Sequence, residues 1–495
     1  MMMSRRDGSD GRMVGIVNRL RQLVLCACAL AVAGCETVGS ATDSMFGGGK
    51  PSEGTPGHVS GFLGAVAADE PRAVLLARDV LSAGGTAADA AVALGFALAV
   101  TLPSRAGLGS GGACLAYAPD RRSVNGGVPE AILFMPVAAG AGGGTGAART
   151  DRPAAVPMLP RGLFALHARY GKRPLETLIA PAEQLARFGI PVSRAFMRDF
   201  AVVATPLLAD PNTRAVFAPG GQPVQEGAQL IQLELGATLG QLRASGVGDL
   251  YQGGLARRLE AVSGSVGVGM SMADLRGALP RLAVPITLRH GNDEVAFLPP
   301  PADGGLAAAA AFQTLTANPA DLTGAQARAN GMAVAWRTRG GDPMALLGET
   351  MPDAGAPAMP ASTSFTTLDR EGNAVTCALT MGNLFGTGRM APTMGFLVAA
   401  SPHAVTPPLL AGAIAYNARL RAFRAVVGGS GQAGAPAAVA VAMMNTLRSQ
   451  QPMAAAVPEP GRANVIGCAG YLPDSERSCA WATDPRGAGL AQGSN

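Results

Sequence analysis

Aromatic residues make up only 4% of this 495-residue chain, and that scarcity removes one class of function. A nucleic-acid-binding surface wants a basic stripe interleaved with stacking aromatics. Here the formal net charge of +5 is carried by arginines dispersed along the sequence, so no nucleic-acid partner is expected. Histidine is scarcer still. His58, His167, His290 and His403 are far apart and in no ligand-like spacing, so neither a metal site nor a cofactor is expected. Long apolar runs are missing as well, and no segment is long enough to cross a bilayer as a helix.

What the chain has in quantity is alanine and glycine, a composition that favours closely packed backbones and many turns. Its length allows a large core and two or three ordinary domains. Arg5, Arg6, Arg12, Arg19 and Arg21 precede an apolar run from Leu23 to Gly34, which together read as a secretory signal. The run ends in Val32-Ala33-Gly34-Cys35, which resembles a bacterial lipobox with Cys35 as the lipidated thiol. An ordinary secretory signal with a chance cysteine is the alternative. The lipobox implies a signal peptide over 1–35 and membrane attachment by acyl chains. Residues 36–58, rich in Gly, Ser and Thr, then form a flexible tether. The expected location is the bacterial cell envelope, lipid-anchored and facing the periplasm.

Export sets the redox context for the seven cysteines. Cys26 and Cys28 leave with the signal. Cys468 and Cys479 flank a short polar loop, and a disulfide closing it would contribute roughly 3 kcal/mol. Cys114 and Cys377 sit in apolar strand-like runs and read as small buried hydrophobes rather than reactive thiols.

Along the chain, Gly64 to Ala68 reads as a strand and Pro71 opens a helix through Leu81. Gly84-Gly85-Thr86 ends one helix and begins the next, with Thr86 offering its hydroxyl to free N–H groups. Ala90 to Thr101 is apolar on nearly every face, so a fully buried helix is expected. Leu108 to Gly112 is a tight Gly-rich turn leading to a strand at Ala113 to Tyr117. Residues 320–361, low in complexity from Gly340, read as a long structureless and accessible segment.

The stretch from Ala361 to Gly388 is the most informative. A run of hydroxyl residues opens an alternating strand, a polar turn spans Asp369 to Asn373, and a Thr- and Val-rich strand follows. Taken alone, these are ordinary Ser/Thr-rich strands. In series with the Gly-Gly-Thr-Ala-Ala-Asp-Ala-Ala segment at 84–91 and the Gly-rich turn, the stretch resembles the gamma-glutamyltransferase family. Pro299-Pro300-Pro301 with Gly304-Gly305, and other pieces in the same order, extend the likeness from about His58 to about Asn445.

The resemblance implies an α+β fold, a four-layer αββα sandwich like that of N-terminal nucleophile hydrolases. Its strands would come from both halves of one precursor, a large-subunit-like region (59–340) and a small-subunit-like region (362–495) joined by a pre-cleavage loop (341–361). It places Ser362 at the nucleophile position, Thr363 after it as an alternative nucleophile, and Thr380 as the hydroxyl that contacts the nucleophile. The loop Gly429, Ser430, Gln432, Ala433 falls where the family builds its oxyanion hole. The implied substrate is a small-molecule amide or γ-glutamyl-like compound. A hydroxyl is a poor nucleophile at neutral pH and needs a base. A residue that becomes the chain terminus supplies one in its own α-amine, whose ordinary pKa is roughly 7.7–8.0.

Several family features are replaced. The segment Ala131 to Pro136 lacks the Arg that clamps a substrate carboxylate, and Gly382 stands in place of an Asn. No carboxylate occurs in Ala399 to Ala404, Tyr416-Asn417 replaces a Ser pair, and Gln432-Ala433 replaces Gly-Gly. Scaffold positions survive while charged substrate contacts do not. Two functions fit: an acyl transferase or amide hydrolase with altered γ-glutamyl specificity, or a catalytically degenerate envelope lipoprotein that keeps the scaffold for binding or structure.

Overall fold

The computed structural model describes residues 61–120, 125–140, 152–267, 269–349, 362–449 and 457–494. The signal segment, Cys35, the tether and residues 350–361 lie outside the described residues. In chain order the main strands are β1 (Gly64–Ala68), β2 (Gly111–Tyr117), β3 (Glu130–Phe134), β4 (Arg281–Ala283), β5 (Ile286–His290) and β6 (Asp293–Phe297). Then come β7 (Ser362–Asp369), β8 (Ala374–Thr380), β9 (Ala411–Asn417), β10 (Ala422–Ser430), β11 (Arg462–Leu472), β12 (Cys479–Thr483) and β13 (Leu490–Ser494). One sheet has seven strands in the order β13-β1-β7-β8-β2-β3-β4, and the other six in the order β12-β11-β10-β9-β6-β5.

The helices that cover these sheets begin with α1 (Pro71–Ser82), α2 (Ala87–Thr101), α3 (Leu159–Tyr170), α4 (Leu175–Phe188) and α5 (Arg194–Leu207). The second sheet carries α6 (Gly304–Ala317), α7 (Leu322–Arg339) and α8 (Ala435–Ser449). Three cores follow from the alternation of side chains along each strand. Phe365 and Cys377 of the first sheet pack outward with Val66 and Phe96 against the α1–α4 layer. Val295, Val427 and Val465 pack outward with Phe312, Met332 and Val439 on the other side. Leu368, Ala378, Ile414, Val426 and Ile466 fill the seam between the sheets. The result is the expected αββα sandwich, with strands of both halves interleaved in the first sheet.

Small side chains let the two sheets approach closely near the site. A Cβ placed on Gly428 would lie 3.0 Å from Thr376 Oγ1 and 3.1 Å from Ser364 Cβ. A larger residue there would push the layers apart.

The expected helix start is a complete capping box. Thr86 Oγ1 accepts from Asp89 N at 3.1 Å and Thr86 N donates to Asp89 Oδ2 at 2.9 Å. The Asp369 turn completes it from 282 residues away, accepting from Ala87 N at 2.9 Å. Asp369 also accepts from Glu371 N, Asn373 N and Asn373 Nδ2. Burial still pushes its carboxyl up to about 6, against those donors. The Asp-to-Asn turn after β7 is therefore a structural joint between β7 and α2. As expected, α2 is buried along its whole length.

Two expectations are corrected. Cys114 and Cys377 are buried but are not separate hydrophobes. They face each other across β2 and β8 and form a disulfide with S–S 2.01 Å. The segment 320–361 is not structureless throughout: α7 occupies Leu322–Arg339 and a short helix spans Pro343–Leu347. Asp321 accepts from Gly324 N to cap α7, and alanines at 325, 329, 333 and 335 make its buried side. The Cys468–Cys479 disulfide forms as expected, between paired positions of β11 and β12.

Candidate active site

Ser362 is the first residue of β7, and its antiparallel partner on β8 is Thr380. Because side chains alternate, Ser362 shares its face with Ser364 and Leu368, which point into the seam. Thr380 shares its face with Thr376, whose hydroxyl reaches Val427 O of the facing sheet at 3.3 Å. Ser362 and Thr380 therefore both look toward the second sheet. Ser362 is fully buried, and its Oγ has no hydrogen-bond partner among the described residues. Thr380 Oγ1 accepts from Gly382 N at 2.8 Å.

Across the seam, β10 ends at Ser430, which is also buried with an unpartnered Oγ among the described residues. The chain then turns through Gly431 (φ +94°) and Gln432 (φ +49°) into α8. A positive φ is uncommon for glutamine, so the turn holds a conformation that the usual Gly would adopt freely. The backbone N–H groups of Gln432 and Ala433 thus lie just before a 15-residue helix, where its dipole favours negative charge. Gly429 faces away from the seam: a Cβ there would meet Ala435 O of α8 at 2.6 Å.

Thr363 lies on the opposite face of β7 from Ser362 and donates to Asp69 Oδ2 at 2.9 Å. Asp69 Oδ1 accepts from Asn464 Nδ2 at 2.9 Å, and the same nitrogen reaches Ser364 O and Oγ. Arg105, just before the Gly-rich turn, donates to Ser362 O at 3.2 Å. Its guanidinium is fixed two-pronged on Asp199 of α5, at 2.7 and 2.6 Å, and Ser104 Oγ donates to the same carboxylate. Burial works against the Arg105 charge, but the Asp199 charge and hydrogen bonds outweigh it and raise the guanidinium above its usual value.

Asp69, Arg105, Asp199 and Asn464 were not singled out from the sequence. Arg105 had a signal: a lone charge in the apolar stretch between Ala90 and Gly112. A buried cation needs a partner.

Two cavities adjoin this constellation and share Leu384. One, of about 260 Å³, is lined by Asp69, Arg105, Asp199, Ser430, Gly431 and Arg462, among others. The other, of about 430 Å³, is lined mainly by Val203, Pro206, Leu207, Gly386 and Val405, with Asn383 and Ala400. Arg152 is its charged lining residue, and no carboxylate lines it among the described residues. The stretch Ala131 to Pro136, which lacks the expected carboxylate-binding Arg, includes Met135, half-buried beside the inter-sheet core.

Two facing sheets between helical layers, with a hydroxyl residue heading an inner strand, define the fold of N-terminal nucleophile hydrolases. A solved cephalosporin acylase from Bacillus halodurans shares that fold, with a TM-score of 0.69 over 90% of this chain and 98% of that one, at 20% identity. The sequence profile described as Gamma-glutamyltranspeptidase matches residues 73–345, and the chain belongs to that family. It is similar to a glutathione hydrolase proenzyme of Escherichia coli (strain K12), 28% identical over 385 residues, covering 68% of this chain and 65% of that protein. It is also similar to an acylase ACY 1 proenzyme of Pseudomonas sp. (strain V22), 32% identical over 50% of this chain and 47% of that protein. The chain thus spans about half to two thirds of the length of these curated relatives.

Proposed function

We propose that this protein is an amide hydrolase or acyl transferase that cuts itself between Ala361 and Ser362 and then uses Ser362 as its nucleophile. In the uncut chain, Ser362 Oγ attacks the Ala361 carbonyl carbon, the peptide C–N bond breaks, and the α-nitrogen takes the proton. Water then hydrolyses the resulting ester and frees the new N-terminus. In turnover, the freed α-amine accepts the Ser362 hydroxyl proton as the oxygen attacks a substrate amide. The proton passes to the leaving amine, and water or an acceptor amine releases the acyl group from Ser362. Thr380 orients the nucleophile from the neighbouring strand. Arg105, through Ser362 O, and Asp69, through Thr363 and Ser364 N, position the strand that carries it. The N–H groups of Gln432 and Ala433 serve the oxyanion, a contribution typically worth two to three orders of magnitude per donor.

The observation that carries this reading is Ser362 itself: buried, unpartnered among the described residues, and heading β7 directly opposite Thr380 of β8. The cavity with Arg152 and no lining carboxylate among the described residues offers no anionic partner for a substrate ammonium and so supports an acyl group other than the zwitterionic γ-glutamyl group. With Cys35 lipidated, the enzyme would act at the periplasmic side of an envelope membrane. A second reading, a non-catalytic envelope protein on the same scaffold, draws support from the lack of an Arg in Ala131 to Pro136 and from Gln432 standing where flexible glycine is usual.

A reducing denaturing gel with mass spectrometry of the fragments decides between them. Cleavage at Ala361/Ser362 in the wild type, absent in Ser362→Ala, is expected. A wild type that stays uncut ends the proposal. Turnover of neutral acyl anilides above γ-glutamyl anilides is expected from the cut enzyme, and robust γ-glutamyl turnover contradicts the substrate assignment.

A further inference from the structure

A further cavity lies away from Ser362. It opens at the other end of the first sheet, beside Asn373 and Val375, and holds about 780 Å³. Ser362 and Asp369 are the two ends of β7, roughly 23 Å apart at strand rise. Its volume suits a small organic ligand.

We propose that this cavity is a binding site for a small monocarboxylate with an aromatic or apolar body. Two residues of its lining each carry a buried polar atom that lacks any hydrogen-bond partner among the described residues: Tyr117 Oη and Arg421 Nη1. Tyr117 is only 1% exposed. Burial pushes its phenol up, so the hydroxyl keeps its proton and can donate. Arg421 bears on the same phenol electrostatically, which places the guanidinium near it. Buried donors without acceptors are penalised, and native structures seldom keep two together without a reason. A carboxylate offers acceptors to both.

The turn that presents Arg421 is itself held in place. Arg421 adopts φ +54°, and Asn417 Oδ1 accepts from Arg419 N and Leu420 N to fix the turn. Strain of this kind persists where surrounding structure enforces it, often at ligand sites. The walls are apolar and aromatic, with Tyr170, Tyr471, Ala116 and Val375. Both neighbouring tyrosines are already engaged: Tyr170 donates to Glu130 and Tyr471 to Asp293. They supply ring surface rather than free hydroxyls.

Charge selects the ligand class. Arg169, Lys172 and Arg421 line the cavity, but so do Asp120, Glu371 and Asp474. Arg169 is held by Glu130. With Arg169 offset by Glu130, the described lining leaves two cations against three carboxylates, which disfavours a multiply charged phosphate and confines an anion to a single charge at the Arg421 guanidinium.

Isothermal titration of the full chain with phenylacetate tests this. Saturable binding to the wild type is expected, weakened about tenfold or more in both Tyr117→Phe and Arg421→Gln. Tyr117→Phe removes an unpartnered hydroxyl, so its thermal midpoint should not fall, which separates lost binding from lost folding. Ser362→Ala should bind phenylacetate like the wild type. The proposal is overturned by absent saturable binding, by unchanged binding in Tyr117→Phe, by inorganic phosphate binding as tightly as phenylacetate, or by loss of binding in Ser362→Ala.

Discussion

Replacing Cys114 and Cys377 together by alanine gives the clearest test of how the two halves are joined. The bond spans 263 positions of sequence and staples β2 to β8 in the middle of the first sheet. On the chain-entropy account a closed loop of that length restricts the unfolded chain by about 5–6 kcal/mol. Measured contributions fall below such figures, so we expect the double variant to be about 3 kcal/mol less stable in urea unfolding without reductant. Peptide mapping of the oxidised wild type should recover a linked Cys114–Cys377 pair. If the chain is cut before Ser362, the same bond joins the fragments. A non-reducing gel then shows one full-length band that splits on reduction, and the double variant shows two bands without reductant. Equal stability of variant and wild type within about 0.5 kcal/mol, or peptide maps with both thiols free, would refute the reasoning.

Two further outcomes follow from buried charges. Asp369 has its carboxyl pushed up to about 6 by burial, from an ordinary 3.8, so the folded state binds more protons than the unfolded state between those values. Stability from this group therefore falls as pH rises from about 4 to 6, by about 3 kcal/mol in all; urea midpoints across that range should show a slope that Asp369→Asn flattens, and an unchanged slope contradicts the assignment. Arg105→Leu should destabilise by about 3–5 kcal/mol because it strands the buried Asp199 carboxylate, and Arg105→Leu/Asp199→Leu should recover part of that loss in thermal unfolding. No recovery in the double variant would mean the pair acts through some other contact.

Local signals in the sequence were dependable where the physics is local. Thr86 and Asp89 stand three apart ahead of an apolar run, and a capping box forms there. The alternation after Ser362 yields a strand, and the Gly-containing polar turn at 369–373 yields the joint. Pairing across hundreds of residues is another matter. Whether Cys114 meets Cys377 depends on the register of β2 against β8, and a shift of one residue would send the two side chains to opposite faces. The Arg105–Asp199 pair likewise exists only once α5 has packed. Helix α7 was missed because its buried side is mostly alanine, with Met332 its one large apolar residue there, which gives little contrast with the glycines and polar residues around it. Its Asp321 cap was the usable clue. At the candidate site, the juxtaposition of Ser362 and Thr380 was legible, while the Asp69–Asn464 support was not, since it joins residues 395 apart.

The strand order of the first sheet also bears on biogenesis. β7 and β8, from one side of residues 350–361, sit between β1 and β2 from the other side, and β13 closes the edge next to β1. The first sheet cannot form from either stretch alone. Synthesised separately, each would display unpaired strand edges, a template for clumping with neighbours. A break in this backbone therefore makes sense only as a late event, after the ribosome has delivered a single polypeptide and the strands have found their places. Once made, such a break would yield two polypeptides that share one body.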